Sequence, residues 1–219
     1  MTFPAGSSAF ERFVLSIDSP EVDFRESLDL DALARTEGPD REAAESILIA
    51  RVSEEDDWRV PPAIASIQLK RAVPPMQRRL PGAKGRMLLA LARALVELGA
   101  LDRIDDTVVE MLDGGDRDEG ISALAASSEL SSPELVAALS RACVHHPSPE
   151  VRVNSGAELL YVTGATRDPL AWKLRPLYLL LADEDEGKRR EAFREICKRT
   201  RTSPALETRG ARVPSAPRG

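Results

Sequence analysis

The chain has 219 residues, 42% hydrophobic, 4% aromatic and 30% charged, with a formal net charge of −6 and a pI near 5.2. This length suits one substantial domain with flexible ends, and the scarcity of aromatics beside abundant Ala, Leu and Val points to aliphatic helix-on-helix packing rather than a sheet sandwich. Two cysteines, Cys143 and Cys197, are too few for the disulfide framework of a small secreted domain, and no run approaches the ~18 apolar residues that cross a bilayer.

The charge is unevenly spread. Residues 1–60 carry 15 acids against six arginines, whereas residues 200–219 hold four arginines against Glu207. The acidic N-terminal end is therefore the main electrostatic signal. Met1 to Gly6 show no basic region followed by an apolar stretch, so a cytoplasmic protein is expected.

Residues 1–38 mix Pro, Ser, Gly and acids with short apolar pieces. Of these, Phe10 to Ile17 fits either a helix or an edge strand. From Asp40 to Val52, Ala43, Ala44, Ile47, Leu48 and Ile49 follow helical spacing after the Pro39-Asp40 start signal. The run Glu54-Glu55-Asp56-Asp57 ends that helix. Pro61-Pro62 opens another, with Ala63, Ile64 and Ile67 on its apolar face, Leu69 off that face, and Pro74-Pro75 as an interruption.

Ala83 to Leu98 is the strongest helical signal, with Met87, Leu88, Leu91, Ala92, Leu95 and Val96 mostly at three- and four-residue steps and Gly99 as the stop. Helices follow at about Arg103–Leu112, before Gly114-Gly115, and at Asp116–Ser127. Ser132-Pro133-Glu134 caps the next, which runs to about His145, and its partner covers Glu150–Val162 before Gly164. The last pair is Pro169–Leu181 and Asp185–Arg199. Beyond residue 200, Ser, Pro, Arg and Gly dominate, and a disordered basic tail is expected over 201–219.

One grammar occurs twice. Pro147-Ser148-Pro149-Glu150-Val151-Arg152 leads from a turn through an acidic first helical turn to small residues and an apolar stripe. Asp183 to Ile196, with Lys188-Arg189 in place of Val151-Arg152, repeats it. Arg152 and Arg189 lie 37 positions apart, within the ~20–50-residue periods of stacked supersecondary units.

These residues resemble the HEAT-repeat family, whose second helix opens with an acidic turn and a Val-Arg pair. Arg175-Pro176-Leu177 through Asp183 resembles its first helix and the following turn. The resemblance covers residues 131–199, and residues 60–130 by helix rhythm. It departs from the pattern at Lys188, where Val is usual, and at Ser155-Gly156, where Ala is usual. It implies an all-α fold, a right-handed α-solenoid of about four helical hairpins over residues 39–200. On that reading an acidic, partly irregular segment precedes the solenoid at 1–38 and the tail follows it. A fold of this kind does not dictate a function.

Chemistry-bearing clusters have structural readings. Cys143 and His146 could share a helix face, but no further metal-ligand spacing accompanies them, and His145-His146 suits a helix C-terminus. No GxSxG elbow supports a nucleophile, and Pro81-Gly82-Ala83-Lys84-Gly85-Arg86 lacks the preceding strand and motif of a phosphate loop. Asp183 to Glu186 is the acidic turn of a helix N-terminus. No catalytic residue, metal or cofactor is therefore assigned.

Two surface features remain. Glu54, Glu55, Asp56 and Asp57, followed by Trp58, have no helix start to serve and form either a solvated linker or a partner-binding lip. Lys70, Arg71, Arg78, Arg79, Lys84 and Arg86 form a basic cluster that could touch nucleic acid, although it lacks interleaved aromatics and more simply pairs the acidic N-terminal region.

The expectation is a non-enzymatic protein-binding module. One version resembles the immunity proteins that neutralise a toxin, where an acidic lip would steer a basic partner. The alternatives are a nucleic-acid-binding or DNA glycosylase-like enzyme on the same scaffold, or a structural assembly subunit. An enzyme would bring Trp58 or Trp172 into a pocket with Asp and Arg.

Overall fold

The computed structural model describes residues 8–18, 27–168 and 171–207. Every regular element among them is a helix, and none is long and apolar enough to cross a membrane. The chain divides into two compact units, one ending at Ile104 and the other beginning at Asp105.

The first unit contains α1 (Ala9–Asp18), α2 (Leu30–Ala34), α3 (Gly38–Glu54), α4 (Val60–Ser66), α5 (Val73–Arg79) and α6 (Gly85–Glu97). The ambiguous Phe10–Ile17 run is helical. Ser8 Oγ accepts from the Glu11 N–H at 3.2 Å while Glu11 Oε2 accepts from the Ser8 N–H at 2.8 Å, a reciprocal capping box. Phe13 and Ile17 then enter the same core as Leu28, Leu33, Leu48, Ile64, Met76, Leu91 and Leu95.

Polar contacts hold this N-terminal segment in place. Arg12 pairs with Asp29 at 2.9 Å, Ser16 Oγ accepts from the Asp29 N–H at 3.0 Å, and Arg41 donates to the Leu33 carbonyl at 3.1 Å. The described parts of residues 1–38 thus include two core-forming helices, α1 and α2, beside short non-helical stretches.

Pro74-Pro75 starts a helix rather than interrupting one. The two prolines sit in the first turn of α5, where a missing N–H leaves no intrahelical bond unmade. Leu69 is buried although it lies off the α4 face, because α4 ends at Ser66 and the chain turns through Gln68 (φ 54°) before reaching it.

The second unit contains α7 (Asp105–Gly114), α8 (Arg117–Ser127), α9 (Pro133–His145), α10 (Pro149–Val162), α11 (Arg175–Leu181) and α12 (Glu186–Thr200). Consecutive helices pair as α7 with α8, α9 with α10 and α11 with α12, while α9 also packs on α7 and α10 on α8 and α12. Side chains at the expected starts cap the helices: Asp116 accepts from the Asp118 and Glu119 N–H groups, Ser132 from Leu135, Ser148 from Val151 and Asp185 from Gly187. At the C-terminal end a 3-10 turn, Pro204–Glu207, packs on α9 and α12, and the rest of the expected tail lies outside the described residues.

The repeated arginines have equivalent geometry. Each stands four residues beyond its helix cap, Arg152 after Ser148 and Arg189 after Asp185. Arg152 Nη1 donates to the His146 and Pro147 carbonyls at 2.8 and 2.9 Å, and Arg189 Nη1 to the Asp183 and Glu184 carbonyls at 3.0 and 2.6 Å. In both cases these are the two carbonyls just before the cap. The remaining donors reach the end of another hairpin's first helix. Arg152 Nε donates to Leu181 O at 2.8 Å and Nη2 to Ala182 O at 3.1 Å, whereas Arg189 Nε donates to Val144 O at 2.8 Å.

Close helix approach explains the departure at Ser155-Gly156. A Cβ on Gly156 would stand 2.4 Å from Leu181 Cδ1 and 3.2 Å from Ile196 Cδ1, so only glycine lets α10 meet both helices of the next pair without displacing a packed side chain.

Arg152 is 5% exposed, and its removal would strand several buried carbonyls at roughly 1–3 kcal/mol each where water cannot replace the guanidinium. Arg152→Met is expected to destabilise the protein by about 3 kcal/mol in urea unfolding. Arg117→Ala, which removes exposed pairs with Asp118 and Glu150, should leave the urea midpoint nearly unchanged. Equal losses would contradict this account of Arg152.

Candidate functional site

The acidic run leaves the end of α3 and enters α4, and most of its charge is paired within the first unit. Glu55 accepts from Arg51 at 2.6 Å, and the same guanidinium reaches Asp18 at 2.5 Å. Asp56 pairs with Arg79, which also donates to the Ser53 carbonyl at 3.0 Å. Asp57 accepts from Arg59 at 2.8 and 2.6 Å; burial alone would raise its carboxyl, but the Arg59 hydrogen bonds and charge hold it below the usual carboxylate range. Glu54 is exposed and makes no ion pair among the described residues. Trp58 is half-buried, with the Arg86 guanidinium 5.3 Å above its ring.

The basic cluster meets this acidic region. Arg71 pairs with Glu45 at 2.6 Å, Arg79 with Asp56, and Lys70 donates to the Leu98 carbonyl at 2.5 Å. Arg78 and Lys84 are exposed without an ion pair among the described residues. The two candidates from the sequence meet at Asp56–Arg79 and at Trp58–Arg86, whereas Glu55, Asp57 and Arg71 pair with residues outside both and Glu54, Arg78 and Lys84 face solvent.

A different surface lies in the second unit. Pro176 stands in the first turn of α11, and the 3-10 turn Trp172–Leu174 precedes that helix. Tyr178 and Leu181 point inward, leaving Trp172 74% exposed, Leu179 60% and Leu180 39%. Trp172, Pro176 and Leu179 follow three- and four-residue steps along one side. The Arg175 guanidinium lies 4.5 Å above the Trp172 ring. Tyr161, at the end of α10, is exposed as well. Single exposed apolar residues are ordinary, but several large ones on one seven-residue helix and its lead-in turn are not. The run Leu177 to Leu181 carried the sequence signal, since a short helix that packs on one side cannot bury five consecutive residues of this kind.

His145 and His146 part company at the end of α9. His145 is half-buried, while His146 is 4% exposed and its Nδ1 accepts from the Ser148 N–H at 3.1 Å. The ring fills the space above Gly120, four residues past the α8 cap, where a Cβ would stand 3.2 Å from His146 Nε2 and 2.9 Å from a Val151 methyl. Gly120 thus stands as far past the α8 cap as Arg152 and Arg189 stand past theirs, and the His146 ring packs over it. Beside it a cavity of about 40 Å³ is lined by Leu112, Gly115, Pro147 and the Asp113–Arg141 pair, whose contacts are 3.0 and 2.7 Å. That is room for a few water molecules, well below the several hundred Å³ of a metabolite pocket. Neither tryptophan lines it. Among the described residues no group of His, Cys, Asp and Glu is arranged to hold a metal. Cys143, fully buried, has its thiol pushed up by burial and by the nearby Cys197.

Comparison with protein-family models, curated proteins and solved structures finds no match to this chain.

Burial lowers the pKa of His146 from its ordinary 6.5, with the Arg152 charge acting in the same direction and the Ser148 and Asp116 backbone groups opposing it. The unfolded chain therefore takes up the proton first. The stability owed to neutral His146 is fully present above pH 6.5 and falls as the pH drops through 6.5 toward the lower folded-state value. Urea midpoints at pH 7.5 and 5.5 should differ more for the wild type than for His146→Asn, whose carbonyl can still accept from Ser148. An identical pH dependence in both proteins would contradict this.

Proposed function

We propose that this protein is a non-enzymatic, HEAT-like helical-hairpin module that binds another protein. The observation that carries the reading is the outward apolar stripe of Trp172, Leu179 and Leu180 in the second unit. Leaving Trp172 and Leu179 in water forgoes the roughly 1.5–3 kcal/mol that burying each such side chain would contribute, and contiguous exposure of this kind marks contact surfaces. The equivalent hydrogen bonding of Arg152 and Arg189 supports the repeat reading, because each hairpin addresses its own turn and a neighbouring helix end in the same way.

Under this proposal Glu54, Glu55, Asp56, Asp57 and Trp58 form a subsidiary, largely self-neutralised contact. The immunity-type version is the case in which the acidic N-terminal end steers a basic toxin toward the module. The internal pairing of Arg71 and Arg79 weighs against the basic cluster as a nucleic-acid surface, since those side chains would have to leave carboxylates to reach phosphate.

The test compares the wild type with Trp172→Ala/Leu179→Ser, a pair of exposed substitutions expected to change thermal stability little. Captures from host lysate at low and moderate salt should show one stoichiometric protein that the double variant loses and the Glu54→Gln/Glu55→Gln variant retains. Identical captures by wild type and double variant, or recovery of nucleic acid alone, would overturn the proposal.

A further inference from the structure

Building on the protein-binding reading, we infer that the α11 stripe receives an acidic amphipathic segment of a partner protein, with apolar side chains seated on Trp172, Leu179 and Leu180 and carboxylates meeting Lys173 and Arg175. The charge pattern of the second unit carries the inference. Six of its exposed or half-buried cations are engaged: Arg117 with Glu150, Arg141 with Asp113, Lys188 with Asp183, Arg190 with Glu186, and Lys198 and Arg199 with Glu195. Lys173 and Arg175 make no ion pair among the described residues, and both are exposed beside the stripe.

The nearest acids in the chain are turned to other tasks. Asp183 accepts from Lys188 at 2.9 Å and from the Asp185 N–H at 2.9 Å, while Asp168 acts on the buried Tyr178. The stripe therefore presents a positive edge with no ion pair among the described residues. With the Arg175 guanidinium over Trp172 and without an ion pair among the described residues, its N–H groups can meet a carboxylate while an apolar group packs beside the indole.

The same charges disfavour the other occupants. Residues 208–219 contain Arg209, Arg212 and Arg218 and no acid, so the chain's own C-terminal segment would add like charge. A second copy docking stripe to stripe about a two-fold axis would bring the Lys173 and Arg175 pairs of both copies together.

Two 18-residue helical peptides with the same Leu/Phe face test this, one carrying Glu and the other Lys on its polar face, each labelled with fluorescein and titrated with the full chain by anisotropy. The Glu peptide is expected to bind at least tenfold tighter at 50 mM salt and to lose most of that advantage at 500 mM. Trp172→Ala should weaken it at least tenfold, and Lys173→Glu/Arg175→Glu should reverse the preference, with circular dichroism matching the wild type. Equal, Trp172-dependent binding of both peptides would overturn the acidic-partner inference and leave the protein-binding reading standing. Binding of neither peptide would overturn both. A dimer in light scattering that Leu179→Ser abolishes would identify a second copy as the occupant and overturn the inference.

Discussion

The second unit depends on a buried cation with no ion pair among the described residues. Arg152 lies in the core margin and donates hydrogen bonds to main-chain carbonyls, at the turn before its own helix and at the end of α11. A helix C-terminus leaves its last carbonyls without partners and carries partial negative charge, so one guanidinium fork there satisfies several acceptors and is itself partly neutralised. Burial lowers its pKa, with the Arg189 charge adding to the effect, yet a guanidinium so far above neutrality remains charged. The arrangement fixes where α11 ends relative to α10. With Gly156 admitting Leu181 from the same side, it sets which residues of α11 turn inward and which turn out.

The stripe follows from that constraint. Tyr178 and Leu181 are held toward α10 and α12, so the helical period carries Trp172, Pro176 and Leu179 to the opposite side. On α8 the residue four past the cap is a glycine. The neutral His146 ring packs over it, and the local stability becomes sensitive to mildly acidic pH where the arginine sites of α10 and α12 are not.

Much of this was legible along the chain. Ser132-Pro133-Glu134 and Ser148-Pro149-Glu150 announce helix starts through side chains that act within one turn, and both caps form as the pattern implies. Arg152 and Arg189, 37 positions apart, make equivalent hydrogen bonds to the turns before their helices. What those arginines bond beyond their own turns was not readable, because the carbonyls of 181–183 and of 144 are brought to Arg152 and Arg189 only by packing. Ser8-x-x-Glu11 was a readable helix start, but Val, Phe and Ile in the following run fit a strand equally well, and burial of Phe13 against α3 decides the matter. The division at Ile104 has no Pro- or Gly-rich linker to mark it. The acidic run stood out by composition, whereas its pairing with Arg51, Arg59 and Arg79 draws on side chains as far as 23 positions away. The α11 stripe was harder to see, since a Leu-rich segment resembles core until its helix proves only seven residues long.

The role of Arg152 in setting α11 is most directly tested by hydrogen–deuterium exchange on the wild type and Arg152→Met under conditions where both are folded. If the guanidinium fixes the end of α11, amides of residues 177–186 should lose protection by tenfold or more in the variant while those of α7 and α8 change little. Unchanged protection in α11, or a uniform loss across the second unit, would contradict the account.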